Sequence, residues 1–325
     1  MLTIILNNTI YKIKTGHGIS AKQYLSDQLH RILGVGQGSC AAPSIWTAVL
    51  DTILWLVAEK YVAFQMTSPT GQHKERLGYA FVDNIALMAN MLPEQNITKD
   101  STIKEHDMTT HMKKIAQDFE RKLFTTGGAL ALHKCFWYLI IWKWMEDGTA
   151  KMKTKSEAPG EIHLTQADNR DTTAKITRKE IDESERTLGV RLNPAQNMTQ
   201  ETEFRYAQIK KWAASVTNSR LSRKEVSMAY HRILLPMITY PLAVTTFTKK
   251  DTKQMQTLTD KTYKTQMKLN RNFPQAVYRG TPRYGGLGVV PITTHQAYKQ
   301  IQLLIGSIKN GDSGGDLAQQ SLESL

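Results

Sequence analysis

The sequence predicts an α+β protein, and three observations carry that reading. Several segments repeat apolar residues at three- and four-residue spacing, the pattern of helices with one buried face. Others are short apolar or aromatic runs bounded by Gly, Asn and Asp, the pattern of strands and hairpins. The strand-like runs stop near Leu188-Gly189-Val190, and the pattern after them is helical. The chain has 325 residues, 41% hydrophobic and 22% charged, which suits one large or two ordinary globular domains and excludes a disordered tail, a collagen or a coiled coil.

Taken in order, residues 1–14 read as one or two strands around Asn7-Asn8, and Thr15–Ser20 as a Gly-punctuated loop. GVGQGSCAAPS, Gly34–Ser44, is a loop of small residues. It leads into apolar residues at helical spacing, which predict a mostly buried helix from about Ser44 to about Val62, with Pro43 near its start. Gly78–Asn90 (GYAFVDNIALMAN) sets the polar pair Asp83-Asn84 between two apolar runs and predicts a hairpin with that pair at its tip. Thr98–Phe124 predicts an amphipathic helix with Met108, Met112, Ile115, Phe119 and Leu123 on one face, ended by Gly127-Gly128. Cys135–Met145 (CFWYLIIWKWM) is aromatic and β-branched and predicts a strand. Residues 146–186 are polar and read as a connecting hairpin region, the most weakly ordered part. Beyond it, Glu201–Val216, Ser222–Leu235 and Lys249–Leu269 predict amphipathic helices punctuated by Pro236 and Pro241. YGGLGVV, 284–290, is a Gly loop, His295–Ile308 a last helix, and residues 311–325 a flexible Gly/Ser/Asp tail.

The net charge is +13, and its distribution is uneven. Residues 1–150 hold 15 basic and 13 acidic residues, whereas residues 205–283 alone hold 16 basic and 3 acidic. A concentrated basic segment attracts phosphate backbones; its other reading is a solvated helix face. Charge alone does not separate RNA, DNA and anionic membrane. The longest apolar candidate for a membrane span, Trp46–Ala58, is 13 residues long and contains Asp51, short of the ~20 that a span needs. The start MLTIILNNTIYK lacks the basic residues and cleavage site of a signal peptide. Two cysteines, Cys40 and Cys135, form neither a disulfide framework nor a zinc pair, so an intracellular, reduced protein is expected.

Order then becomes informative. A Gln-Gly loop precedes a helix, an apolar hairpin with an acidic tip follows, a Gly-Gly turn with Lys134 and an aromatic strand comes third, and basic helices close the chain. This order resembles the polymerase core of reverse transcriptases of non-LTR-type retroelements. GVGQGSCAAPSIWTAVLD resembles motif B, GYAFVDNIAL motif C with Phe81-Val82-Asp83-Asn84 as its aromatic-x-Asp-Asp tip, and TGGALALHKCFWYLIIWKW motif D. LGVRLNP and the basic helices are similar to the approach to the thumb, so the likeness spans roughly residues 1–290.

The resemblance implies part of a right-hand palm over residues 1–145, a connecting hairpin region over 146–186 and a basic thumb-like helical region over 187–310. It implies RNA-templated DNA synthesis by two magnesium ions about 3.5–4 Å apart, which clamp the attacking and leaving oxygens. Its implied partners are an RNA template, a DNA primer or RNA–DNA duplex, and deoxynucleoside triphosphates, with no membrane. Asp83 would bind metal, with Asn84 in the place of a second carboxylate. Gln37, Gly38, Phe81 and Lys134 would line the nucleotide and template site, and Lys210, Lys211, Arg220, Arg223, Lys224 and Arg232 would meet nucleic acid. Residue by residue, other readings stand beside these. The glycines around Gln37 also suit a tight loop, Lys134 suits an ordinary surface lysine, and Asp51 suits the polar face of its helix. Phe136, Trp137, Tyr138, Trp142 and Trp144 could stack on bases, but their alternation points to the core. His106 and His111 lack companion zinc ligands.

The sequence departs from the family pattern twice. Asn84 supplies an amide oxygen without charge, and no acidic residue precedes Asp27, so the motif A aspartate and the fingers are expected to be missing. Losing an essential carboxylate removes most of the catalysis of such a constellation. Two functions follow: a reverse-transcriptase-family protein that is inactive as it stands, or a non-enzymatic nucleic-acid-binding retroelement remnant that keeps the basic helices.

Overall fold

The computed structural model describes residues 12, 14–15, 18–19, 21–22, 42–67, 71, 73–90, 101–167, 171–310 and 313–323. The chain is an α+β protein. Its strands are β1 (Lys14–Thr15), β2 (Gly18–Ile19), β3 (Phe64–Thr67), β4 (His73–Arg76), β5 (Gly78–Phe81), β6 (Asn84–Leu87), β7 (Phe136–Trp137), β8 (Trp142–Trp144), β9 (Ala150–Met152), β10 (His163–Thr165), β11 (Thr173–Lys175), β12 (Thr177–Arg178), β13 (Glu185–Thr187) and β14 (Val190–Leu192). The α-helices are α1 (Ala42–Ala58), α2 (Ser101–Thr125), α3 (Thr199–Asn218), α4 (Arg223–Ala229), α5 (Leu235–Thr239), α6 (Lys249–Gln266), α7 (Gln275–Arg279), α8 (Ile292–Asn310) and α9 (Ser313–Glu323). Among the described residues the strands form two-stranded pairs only. β7 and β12 run parallel; β1–β2, β5–β6, β8–β9, β10–β11 and β13–β14 are antiparallel.

Two units divide the chain. The first comprises Met1–Gln65, Glu75–Trp137 and Pro159–Arg178. Its core is the meeting of two helical stripes and one strand face. Leu50, Ile53 and Val57 of α1 lie three and four residues apart, as do Ile115, Phe119 and Leu123 of α2, and all six are buried. Ile85 and Leu87 of β6 and Ala89 beyond it alternate toward the same cluster. Burying each large side chain of this kind stabilises the fold by about 1.5–3 kcal/mol. Gly127 takes φ +81°, and the N–H groups of Gly127 and Gly128 bond to Phe124 and Leu123 carbonyls at 3.1 and 3.2 Å, which stops α2. The helix expected to be mostly buried has one buried face only: Trp55 and Leu56 are exposed.

The second unit comprises Met66–Lys74, Tyr138–Ala158 and Lys179–Leu325. Ile209, Trp212 and Val216 of α3 pack with Val226, Tyr230, Leu234, Ile238, Met255 and Tyr263. Two capping boxes fix helix starts, Ser222 with Glu225 and Thr248 with Asp251. Helix α4 runs through a π-turn at Tyr230–Leu234 into α5. Pro236 lacks the N–H that would bond one turn back, and the helix widens just before it.

Three expectations are corrected. The strand over Cys135–Met145 breaks into β7 and β8, because an almost unbroken apolar run has no polar alternation to hold one register. Residues 146–186 are not weakly packed: Ala158, Ile162, Leu164 and Ile176 are buried, and the stretch contributes to both units rather than linking two domains at 145 and 187. The tail expected to be flexible over 311–325 contains α9, with Gln320 buried. No helix among the described residues is long and apolar enough to cross a membrane.

Candidate acidic hairpin and nucleic-acid interface

In the first unit, β5 and β6 pair Gly78 with Leu87, Tyr79 with Ala86, Ala80 with Ile85 and Phe81 with Asn84. The two-residue turn is therefore Val82-Asp83, and Asn84 opens the second strand. The sequence placed Asp83-Asn84 together at the tip; the register moves that tip by one residue. Gly78 is required, since a Cβ there would stand 2.2 Å from the Ala86 carbonyl oxygen. Val82 takes φ +57°, a strained backbone for a β-branched residue. The indole N–H of Trp46, on the first turns of α1, donates to the Val82 carbonyl and braces the turn.

Asp83 is exposed, with the Asn84 amide nitrogen 3.5 Å from its Oδ1. Phe81 is exposed beside it. For a hard divalent cation the tip offers one carboxylate and one neutral amide oxygen. Two clamped magnesium ions need several carboxylates, so this hairpin alone does not fit a two-metal centre. Lys134 is exposed on a short 3₁₀ turn, Leu132–Lys134, before β7. Asp51 is exposed on α1. Gln37 and Gly38 lie outside the described residues.

The sequence reading missed three buried carboxylates on α2, Glu105, Asp118 and Glu120. Asp118 accepts from Lys122 at 2.5 Å and from Lys60 at 3.3 Å. Burial works against its charge, and the two ammonium groups win, holding the carboxyl below its usual range. Glu120 is buried and accepts from the Thr165 backbone N–H at 3.1 Å. Burial, with the Glu120 charge, pushes the Cys135 thiol up, so this cysteine is not an activated nucleophile. A helical stripe of apolar residues signals which face is buried but not which acids flank it. His111 bonds the Val62 carbonyl at 2.9 Å and meets the Tyr61 ring edge-on, a packing role.

In the second unit Lys210, Lys211, Arg220, Arg223, Lys224 and Arg232 are all exposed. None forms an ion pair among the described residues. Arg223, Lys224, Ser227, Met228, His231 and Arg232 line one shallow cleft with Met267. Lys224 and Met228 stand one turn apart on α4, and Arg232 follows in the π-turn. Lys210, Lys211 and Arg220 are not part of that cleft. Two other cations of the basic tract are used internally. Arg205 pairs with the wholly buried Glu201 at 2.5 Å and donates to the Gly189 and Met237 carbonyls at 2.8 and 3.2 Å. Arg279 pairs with Asp260 at 2.5 Å.

The aromatic run divides. Trp137 is buried under the Arg178 guanidinium, 5.2 Å from its ring, as the core reading expects. Trp142 and Trp144 are not core; they are 52% and 75% exposed on β8. Comparison of the chain with protein-family profiles and with curated proteins finds no match.

Proposed function

We propose that this chain is a reverse-transcriptase-type protein whose present activity is to grip nucleic acid, with RNA-templated DNA synthesis as the ancestral chemistry of its fold. One observation carries the binding reading: Arg223, Lys224 and Arg232 share a helix-borne cleft, and among the described residues no carboxylate lines it. Cations that line one cleft and form no ion pair among the described residues match the charge of a phosphate backbone and release counterions on binding it. The polymerase ancestry is supported by the ordered motifs and by the tie from Trp46 to the acidic turn, which joins the helix after the Gln-Gly loop to the hairpin. Asn84 leaves that hairpin one negative charge short of the family pair, so the chain as it stands does not extend primers.

Two assays on the full chain test this. Filter binding to an RNA–DNA duplex at rising salt should show affinity that falls linearly on a log–log plot. Magnesium-dependent primer extension should show no product. Extension that Asp83→Ala abolishes would replace the binding reading with a working polymerase, and salt-independent or absent duplex binding would remove the binding reading.

A further inference from the structure

The hairpin β8–β9 in the second unit has two unlike faces. Register pairs Trp142 with Met152, Lys143 with Lys151 and Trp144 with Ala150. Residues two apart share a face, so both indoles stand on one side and the two lysines on the other. The tip is tightly made: Met145 N–H bonds the Thr149 carbonyl at 2.8 Å, and Asp147 accepts from Thr149 N and Oγ1 at 2.9 and 2.6 Å. Gly148 takes φ +80° to close it. Asp147 is thereby spent on the turn.

Two features ask for a ligand. Paired tryptophans at 52% and 75% exposure leave a large aromatic surface in water on one strand. Lysines directly opposite one another repel and destabilise a strand pair. Glu157 feels both lysines, yet its carboxyl is also held by Thr154 N and Oγ1 at 2.9 and 3.0 Å, and Lys153 and Lys155 follow in the chain. Indoles two residues apart on one strand are separated by about 6.8 Å along it. That is about twice the 3.4 Å stacking repeat of nucleic-acid bases, so a single base fits between them.

We propose that this hairpin is a stacking platform for unpaired bases of a nucleic acid strand, with Trp142 and Trp144 as the platform and Lys143 and Lys151, on the other face of the same hairpin, adding longer-range attraction for the strand's phosphates. The class of partner rests on the nucleic-acid reading above; the site is separate from the basic cleft. Stacking on aromatic side chains is tolerant of sequence and worth a several-fold to hundred-fold change in affinity per base.

The test compares the full chain on three probes: a single-stranded oligothymidylate, an abasic oligonucleotide of equal length and charge, and an RNA–DNA duplex. The wild-type chain should prefer oligothymidylate over the abasic strand by about tenfold or more. The Trp142→Ala, Trp144→Ala double variant should lose that preference and keep its duplex affinity. Both side chains are exposed, so the fold should tolerate the change, and the abasic comparison needs no variant. Equal binding of the two single strands by the wild-type chain overturns the proposal. So does a preference that survives the double substitution. Lost duplex binding with an intact base preference would instead strike the proposed function and leave the platform standing.

Discussion

Arg205 shows how one side chain can leave the charge pattern of its surroundings. It lies inside the basic tract, yet its guanidinium is buried against Glu201 and two backbone carbonyls. Glu201 also accepts the Arg191 N–H at 3.0 Å, so this pair ties the β13–β14 hairpin to α3. We predict that Arg205→Met destabilises the protein by about 3–5 kcal/mol, because Glu201 is left charged and buried. The double variant Glu201→Leu, Arg205→Met should recover much of that loss in denaturant melts. His295 on α8 gives a pH test. Burial, with a contribution from Lys299, lowers its imidazole below the ordinary value of 6.5. The unfolded chain then takes up this proton at higher pH than the folded one. Its share of stability is complete above about pH 6.5 and is lost as pH falls through the folded value. Urea melts between about pH 7.5 and 5 should show a decline that is shallower in His295→Asn. Neither residue was legible as special in the sequence. A helical pattern marks a buried face, but only tertiary packing shows that a charged group has been carried onto it.

Among the elements, those with a strong period were the legible ones. The helices α1, α2, α3, α6 and α8 stand within a few residues of their sequence-derived spans, and the capping residues Ser222 and Thr248 explain two sharp starts. The hairpin carrying Asp83 was legible too, but its turn was misplaced by one residue. Asx-rich pairs favour tips, yet here Phe81 pairs with Asn84 and a valine takes the left-handed position. The aromatic strand was misread for the opposite reason: a run with little polarity cannot say which residues face inward, and Trp142 and Trp144 face out. Gly78→Ala pushes a methyl into the Ala86 carbonyl and should destabilise the first unit by about 1–3 kcal/mol, read as a lowered urea midpoint. Trp46→Phe keeps an aromatic ring but removes the donor to Val82; it should speed hydrogen exchange at the β5–β6 turn while leaving the α1–α2 core protected.

At the scale of the molecule, the uneven charge was readable from the first count, and the two units were not. The second unit draws in residues 66–74 and 138–158, far from its helices in sequence, and no local pattern announces such a grouping. Of 16 basic residues in 205–283, Arg205 and Arg279 are committed to internal carboxylates, while Arg223, Lys224 and Arg232 stand exposed in one cleft. We propose that this cleft grips a phosphate backbone. The most direct test is the salt dependence of RNA–DNA duplex binding by the full chain and by the Arg223→Gln, Lys224→Gln, Arg232→Gln variant. Each neutralised phosphate contributes a slope of about −0.9 for B-DNA, so the variant should bind more weakly with a slope shallower by about two to three. An unchanged slope and affinity in the variant would contradict the account.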